Sequence, residues 1–293
     1  MLQSMFSGIS GLRTHQRRMD VIGNDIANVN TPGYKQSTVS FKEAYVTTLK
    51  APAPGTPGQQ IGLGTQLGGI VKNFNGGILM ETGQAPNMGI SGEGFFVVAD
   101  AGGPTPSFYF TRAGDFLMDV DPALPVPGDN TYLINPDGKR LQGVMKAAGP
   151  WNAGTDSADW TAIADETALT DIILPSDTTS FTIGLDGVVY VSQSGATPAS
   201  FAQVAVGTFD NNTGLEAVGS NLFNKTPAAS LRPFSDAGSA GVGQVFQGYI
   251  ESSNVDLAQE FTDMIITQRG FQANSRSITT SDEMLIELLS LKR

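Results

Sequence analysis

The sequence predicts an α+β protein that is mainly β, in which long N- and C-terminal helices pair as a coiled coil and an antiparallel β middle domain carries a short insertion. Apolar residues recur every seven positions at both ends, which is typical of helices that pack along one another. In the middle, short apolar runs alternate with turn residues. Only 15% of the residues are charged, whereas 35 are glycine and 16 are proline, a composition that favours a turn-rich β region.

The first helix is predicted over residues 3–28, with one apolar heptad row and one mixed row. The apolar row holds Met5, Leu12, Met19 and Ile26, and the mixed row holds Leu2, Ile9, Gln16 and Gly23. Thr31-Pro32-Gly33 should form the turn that ends the helix. Proline disfavours helical geometry in the residue before it, and glycine supplies the positive φ that a type II turn needs.

Strands are predicted after an extended or mixed segment at 35–50 and a Pro-rich loop at 51–58. The clearest hairpin places strands at 181–185 and 188–191 on either side of Asp186-Gly187, a pair that favours a tight turn. A second joins 132–134 to 139–144 through Asn135-Pro-Asp-Gly138. Further strands are predicted at 95–99, 108–111, 116–118, 203–209 and 244–250, and long irregular loops at 211–239.

The last helix carries the longest repeat. Its apolar row holds Leu257, Met264, Phe271, Ile278 and Leu285, and the second row holds Phe261, Gln268, Ser275, Asp282 and Leu289. Ser253 is expected to cap its start. A helix of about 35 residues would be roughly 50 Å long, too long for the core of a compact domain of this size, so it should pack along the first helix.

The polar members of both second rows indicate a pairing that is weak alone and is completed by neighbouring copies. The expected assembly interface is therefore the set of apolar heptad residues, namely Met5, Leu12, Met19, Ile26, Leu257, Phe261, Met264, Phe271, Ile278 and Leu285. The alternative is two ordinary amphipathic helices packed on one domain.

These patterns predict a nested domain organisation. Residues 1–34 and 252–293 form the helical coiled-coil domain, 35–60 and 240–251 connect it to the rest, and 61–144 with 171–239 form a β-rich outer domain. Residues 145–170, which include Trp151 and Trp160, lack strand-like alternation and are interpreted as an insertion.

The composition argues against most chemistry. A formal net charge of −11 would repel nucleic acid, and the absence of cysteine removes disulfides and thiolate sites. The single histidine, His15, has no second ligand nearby in the sequence, and the acidic set Asp115, Asp119 and Asp121 lacks the spacing of a calcium loop. We therefore expect no catalytic, metal or cofactor site, no membrane insertion and no cleaved signal peptide.

Several motifs resemble those of the bacterial flagellar hook and basal-body rod proteins. Residues 23–35 (GNDIANVNTPGYK) are similar to the N-terminal signature of that family, and 248–256 (GYIESSNVD) with 267–276 (TQRGFQANSR) are similar to its C-terminal signature. Residues 91–96, 110–116 and 219–223 resemble family blocks in the β domain. The resemblance fails at about 51–60 and 145–170.

Within the family, two members compete. The ending at 255–263 and 279–293 is most similar to the hook protein, and we expect a short hook subunit that joins rod to filament and transmits torque. The distal rod is the alternative, because many hook proteins carry a second outer β domain that this chain lacks. The Pro-rich stretch before Ile61 also resembles the extra segment of the distal rod.

The resemblance implies export through the flagellar type III apparatus and assembly into a helical homopolymer whose inner wall is lined by the terminal helices. The implied partners are the other axial proteins, namely the distal rod, hook cap and hook–filament junction proteins. A surface adhesin or fibre stalk is the rival from another class, but it usually needs a cleaved signal. An enzyme on a β scaffold is the third possibility, and the sequence shows no residue constellation for it.

Overall fold

The structure, a computed structural model, describes residues 2–51, 57–100, 107–120, 131–145, 169–175, 178–193, 199–239 and 241–291. The predicted insertion at 145–170, with Trp151 and Trp160, lies outside the described residues except at its two ends. Residues 52–56 of the Pro-rich loop lie outside them as well.

Two long helices, α1 (Leu2–Ala27) and α2 (Leu257–Ser290), match the predicted terminal helices. The cap of α2 is Asp256, whose Oδ1 accepts hydrogen bonds from the backbone N–H groups of Ala258 and Gln259 at 2.8 and 3.3 Å. The prediction of Ser253 as the cap is therefore wrong. A capping side chain must directly precede the first helical residue, and Ser253 lies too far upstream of Leu257.

The strands between the helices are short, and every pairing among the described residues is antiparallel. In chain order they are β1 (Ser37–Glu43), β2 (Val46–Lys50), β3 (Gln59–Gly62), β4 (Thr65–Lys72), β5 (Leu79–Glu81), β6 (Met88–Ser91), β7 (Phe95–Ala99), β8 (Phe108–Thr111), β9 (Leu117–Val120), β10 (Thr131–Ile134), β11 (Arg140–Met145), β12 (Thr170–Asp171), β13 (Ile173–Leu174), β14 (Thr178–Ile183), β15 (Val188–Gln193), β16 (Ala199–Val204), β17 (Val206–Gly207), β18 (Glu216–Gly219), β19 (Leu222–Asn224), β20 (Gln244–Gln247) and β21 (Tyr249–Glu251). One turn of 3-10 helix lies at Asn212–Gly214.

The chain forms two compact units. The first, called here the helical unit, contains Met1–Val29, Lys35–Asn73 and Val255–Arg293, and the second, called the β unit, contains Asn30–Tyr34 and Phe74–Asn254. The two predicted connecting segments fall in different units: residues 35–60 lie with the helices, and residues 240–251 lie with the β strands.

In the helical unit, α1 contacts α2, β1 and β4. β1 pairs with β4, with a shift in register between Ser40 and Phe41, and β2 pairs with β3. The helices therefore meet, as the sequence predicts. The coiled-coil pairing of their apolar rows stays a prediction.

The β unit is built around β7, whose five residues are all buried. The main sheet runs β14-β15-β16-β11-β7-β8-β19-β18, with β10 and β12 also on β11, β9 and β13 on β10, and β17 on β7. Phe96 and Val98 face a core that includes Leu133, Leu141 and Val189. Phe95 and Val97 face a second core on the other side, because successive side chains of a strand point to opposite faces.

Three predictions for this region are corrected. The predicted strand at 203–209 divides at Ala205, where the chain leaves β11 for β7. The strand at 244–250 divides at Gly248, whose φ of +77° is incompatible with an extended strand. The loops predicted at 211–239 contain the hairpin β18–β19, because Ser220 and Asn221 both adopt the positive φ that a two-residue turn requires.

Two further predictions concern strands with strong local patterns. The hairpin around Asp186-Gly187 is confirmed, and it comprises β14 and β15. The strand predicted at 116–118 begins instead at Leu117, where its pairing with β10 starts, and Phe116 lies just before it, fully buried in the core.

The turn at 31–34 has the predicted form. Gly33 adopts a φ of +68°, and the backbone N–H of Tyr34 donates to the carbonyl of Thr31 at 3.3 Å. Steric overlap disfavours a side chain at this position as much as the positive φ does, because a Cβ on Gly33 would lie 2.4 Å from the backbone nitrogen of Ala113. The turn is thus packed directly against the backbone that follows β8.

We expect Gly33→Ala to destabilise the β unit more than Gly83→Ala. Gly83 has nearly the same φ, +67°, but no atom lies within 4 Å of the place that a Cβ would take there, so alanine should cost only the left-handed backbone penalty of about 1–2 kcal/mol. Alanine at Gly33 adds an overlap with backbone atoms and should cost at least about 2 kcal/mol more. Urea unfolding of both variants measures the difference, and equal losses would contradict tight packing of the turn.

Candidate assembly interface

The two terminal helices run antiparallel along a seam of small and polar residues. Four residue pairs mark the register: Ser4 with Ser281, Gly8 with Ile278, Gly11 with Asn274, and Gly270 with His15. The residue numbers rise along α1 as they fall along α2. The side chains of α2 that are fully buried are polar ones, namely Glu260, Thr267 and Ser281.

Glycine allows the helices to approach closely at three points. A Cβ on Gly8 would lie 2.9 Å from Ile278 Cγ1, one on Gly11 would lie 2.7 Å from Asn274 Nδ2, and one on Gly270 would lie 2.6 Å from His15 Cε1. Each distance is below normal van der Waals contact, so a larger residue would force the facing side chain or the helix itself to move. Glycine in a helix interior costs about 1 kcal/mol, which the close approach must offset.

The predicted interface residues are half-buried or exposed in one copy of the chain. Met5, Leu12, Met19, Ile26, Met264, Ile278 and Leu285 are half-buried, and Leu257, Phe261 and Phe271 are exposed. Of these, Ile278 lies at the seam, against Gly8. The apolar rows are therefore incompletely covered within one copy of the chain.

Further apolar side chains on both helices are exposed. Phe6 is 66% exposed, Leu289 70% and Leu291 82%. The exposed set also includes Ile9, Ile265, Ile266, Met284, Ile286 and Leu288. These exposed apolar side chains are a candidate interaction surface.

Polar contacts hold the end of the seam nearest the start of α2. Arg18 forms an ion pair with Asp263 at 3.1 Å, and the side-chain amide of Gln36 donates to Glu260 Oε1. The buried carboxylate of Asp25 accepts from the backbone N–H of Ser37 at 3.1 Å. These contacts join both helices to the start of β1.

Glu260 is buried in this network. Burial raises the pKa of Glu260 above its usual value; the hydrogen bond from Gln36 lowers it, and the nearby Asp25 and Asp263 carboxylates raise it further. The charged form of Glu260 is therefore disfavoured in the folded helical unit.

The side chain of His15 packs against other residues of the helical unit. Its ring packs edge-on to Phe41, with centroids 5.6 Å apart, and over Gly270. Burial, together with the positive charge of Arg18, lowers the pKa of His15. Among the residues that the structure describes, no group of three histidine or acidic side chains is arranged to bind a metal ion.

A buried ion pair organises the β unit near the turn at 31–34. Arg112 and Glu251 are 4% and 1% exposed, and Arg112 Nη1 lies 3.1 Å from Glu251 Oε2. Arg112 Nη2 also donates to the carbonyl of Gly92 at 2.7 Å, and the guanidinium lies 5.3 Å from the ring centre of Phe95.

Glu251 binds two further segments of the chain. Its Oε1 accepts from the backbone N–H of Gly77 at 2.7 Å, and its backbone carbonyl accepts from the N–H of Gly33 at 2.8 Å. Close by in the same unit, the side-chain amide of Asn221 donates to the carbonyl of Pro32 at 2.7 Å. The structure thus gathers the motifs at 31–34, 91–96, 110–116, 219–223 and 248–251 around one ion pair.

Sequence reasoning missed both the seam glycines and this ion pair. The spacing of Gly8 and Gly11 on a helix could have indicated a close helix approach, since interior glycines need a packing reason. No local signal could have paired Arg112 with Glu251, because 139 residues separate them.

Three family models match the chain in the regions that carry the sequence motifs. The "Flagella basal body rod protein" model matches residues 5–35, the "Flagellar hook protein FlgE/F/G D1 domain" model matches 89–191, and the "Flagellar basal body rod FlgEFG protein C-terminal" model matches 247–291. The first and third cover most of α1 and α2, and the second begins in β6.

Similar proteins extend the match to the whole chain. Flagellar basal-body rod protein FlgG of Bacillus subtilis is 38% identical over 304 residues, covering 100% of both chains. The chain belongs to the flagellar hook and basal-body rod protein family. The FlgG protein of Buchnera aphidicola subsp. Schizaphis graminum is 31% identical, covering 99% of this chain and 100% of its own. Flagellar hook protein FlgE of Borreliella burgdorferi is 26% identical over an alignment of 446 residues.

A solved structure, that of Helicobacter pylori flagellar hook protein FlgE2, has a TM-score of 0.22 and 10% identity, covering 74% of this chain and 56% of its own. A score this low establishes no shared fold. The sequence relatives confirm the resemblance found in the motifs, and the family is one of structural flagellar proteins.

We expect Arg112→Met to destabilise the β unit of this rod and hook family member by about 3–5 kcal/mol, because it leaves the buried Glu251 carboxylate without its counter-ion. Asp210→Asn is the matched control, since Asp210 pairs with Arg232 at 2.6 Å on the surface. The control should leave the urea midpoint unchanged. If both variants lost equal stability, the buried pair would have no special role.

We expect Glu260→Gln to stabilise the helical unit at neutral pH. An amide Oε1 can still accept from Gln36, but no charge is buried. Because the folded pKa of Glu260 is raised, wild-type stability falls as pH rises from the ordinary carboxyl range, about 4.3, through the raised value. The gain in Tm should therefore be present at pH 7 and absent at pH values below the ordinary range.

The helical signal in circular dichroism measures this transition, since both long helices lie in the helical unit. Glu287→Gln, at an exposed acid of the same helix, is the control and should show no such pH dependence. A gain of equal size at acidic and neutral pH would rule out the ionisation of Glu260 as its cause.

Proposed function

We propose that this protein is a subunit of the distal rod of the flagellar basal body, and that it polymerises into a helical tube through its terminal helices. One observation carries the proposal: rod proteins named FlgG match the chain from end to end at nearly its own length, with up to 38% identity. A subunit of the same length needs no added or missing domain to take the same place.

The hook function predicted from the C-terminal ending fits these comparisons less well. The hook relative aligns over 446 residues against the 293 of this chain, so a large part of that protein has no counterpart here. The ending that resembles the hook protein lies in α2, which hook and rod proteins share as one family model. The length of the chain therefore favours the rod.

The apolar rows of α1 and α2, which are only partly covered within one copy, support assembly through the helices. Burying one exposed leucine or phenylalanine contributes about 1.5–3 kcal/mol. Within one copy, the seam of glycines and polar residues supplies little of this energy. Adjacent copies that cover Leu257, Phe261 and Phe271 supply the remainder, and the heptad rows then pair as a coiled coil between or within subunits.

The proposal includes the route and the neighbours of the subunit. It would be exported through the flagellar type III apparatus and would contact the other axial proteins of the rod and hook. It would act as a structural element, without catalysis, cofactor, nucleic acid or membrane insertion. Within the part of the chain that the structure describes, neither helix is both long and apolar enough to cross a bilayer.

Electron microscopy of the purified, concentrated protein tests this function. A rod subunit should form straight tubes with a central channel, whereas a hook subunit should form curved ones. Discrete monomers at all concentrations would contradict assembly, and isolated stalks would support the adhesin alternative.

We expect Phe271→Asp to abolish polymerisation, because a charge replaces an apolar side chain that is exposed in one copy and would be covered in the polymer. The β unit should keep its melting transition, because Phe271 lies outside that unit. Gln272→Asp is the matched control: it places the same charge one residue away, at an exposed polar position of α2. Sedimentation measures polymer, and calorimetry measures the β unit. Loss of the β-unit transition in Phe271→Asp would show that α2 is an ordinary core helix.

A further inference from the structure

A groove runs along α1 beside the start of β4 in the helical unit. It has a volume of about 330 Å³ and combines apolar with basic side chains. Phe6, Ile9, Arg13 and Arg17 line it from α1, and Thr65 and Leu67 line it from β4. Phe6, Ile9, Arg13 and Arg17 are exposed, and neither arginine forms an ion pair among the described residues.

The end of α2 has the opposite charge and the same apolar character. Residues 282–291, called here the C-terminal tip, follow Ser281, whose hydroxyl lies 3.4 Å from that of Ser4. Asp282, Glu283 and Glu287 are exposed, as are the apolar residues Ile286 and Leu289. Met284, Leu288 and Leu291 are also exposed, so apolar side chains extend around the tip beyond the side that carries Glu283 and Glu287.

The tip and the groove also agree in length. The tip of ten residues is about 15 Å long, and the groove from Phe6 to Arg17 follows α1 for about 17 Å. The tip cannot reach the groove of its own chain, because α2 stays helical through Ser290 and continues away from Ser4. Only another copy can bring a tip to this groove.

We propose that the C-terminal tip of one subunit docks into the α1 groove of a second copy, with Glu283 and Glu287 facing Arg13 and Arg17 and with Ile286 and Leu289 against Phe6 and Ile9. This inference rests on the proposed function, whose interface it specifies. The two surfaces lie at different places on the same subunit. Their contact is therefore heterologous, and it repeats along a filament if the rotation between copies does not close.

Paired charge reversals test the contact. The groove variant carries Arg13→Glu and Arg17→Glu, and the tip variant carries Glu283→Lys and Glu287→Lys. In each, the two surfaces carry charges of the same sign, and the critical concentration for polymerisation should rise about tenfold, since like charges face each other at two positions. Lys292 and Arg293, which lie outside the described residues, remain unchanged in every variant.

Mixing gives the decisive measurement. The acidic groove of the groove variant can bind the basic tip of the tip variant. The unchanged basic groove of the tip variant can bind the unchanged acidic tip of the groove variant. An equimolar mixture should therefore polymerise near the wild-type critical concentration. A chain carrying all four changes should do the same. Added salt should reduce both the defect and the recovery.

The outcomes separate the inference from the function on which it rests. Wild-type protein that forms no tubes would reject the rod function and the docking with it. Wild-type tubes, together with single-surface variants that polymerise normally or a mixture that stays monomeric, would overturn the docking alone. Recovery in the four-change chain without recovery in the mixture would place the contact within one copy and would also overturn it.

Discussion

The ion pair of Arg112 and Glu251 is the constraint on which the β unit depends. Two charges buried to this degree contribute little net stability, because their desolvation offsets their attraction. The main effect of the two charges is to fix the arrangement of the segments that they join. Glu251 uses both carboxylate oxygens and its backbone carbonyl to hold Arg112, Gly77 and Gly33, so segments from the start, middle and end of the chain have one relative arrangement. Directed hydrogen bonds of this kind restrict both the distance and the angle between the groups that they join.

This pair also joins the two segments of the β unit that directly follow α1 and precede α2 in the sequence. Residues 30–34 follow α1, and Glu251 ends β21 shortly before α2. The turn at Pro32 and Gly33 and the last strand are joined by the bond from Gly33 N–H to the Glu251 carbonyl. Within the helical unit, Arg18 near the end of α1 pairs with Asp263 near the start of α2, although more than 200 residues separate them in sequence.

The sequence predicted what depends on neighbouring residues and missed what depends on distant ones. The heptads located both helices within a few residues, and Asp186-Gly187 located a hairpin, because those signals are local. Ala205 and Gly248 divide strands that look continuous, because the chain there changes its partner strand. The apolar rows marked the faces of the helices, but not which face meets the other helix. That choice is made by Gly8, Gly11 and Gly270, whose lack of a side chain gives no signal in an apolar repeat.

A seam made of glycine and polar groups has a physical consequence for assembly. If the apolar rows of α1 and α2 had packed fully on each other, each copy would bury its own apolar surface, and association would gain little further free energy. The close approach at the glycines instead places the backbones together and turns much of the apolar surface outward, as at Phe6, Phe261 and Leu289. That surface is exposed in one copy, and in the proposed assembly it gains its burial energy only from other copies. The polar network of Arg18, Asp263, Gln36 and Glu260 fixes the helix pair in register, so that every subunit of the proposed assembly would present the same outward surface to the next.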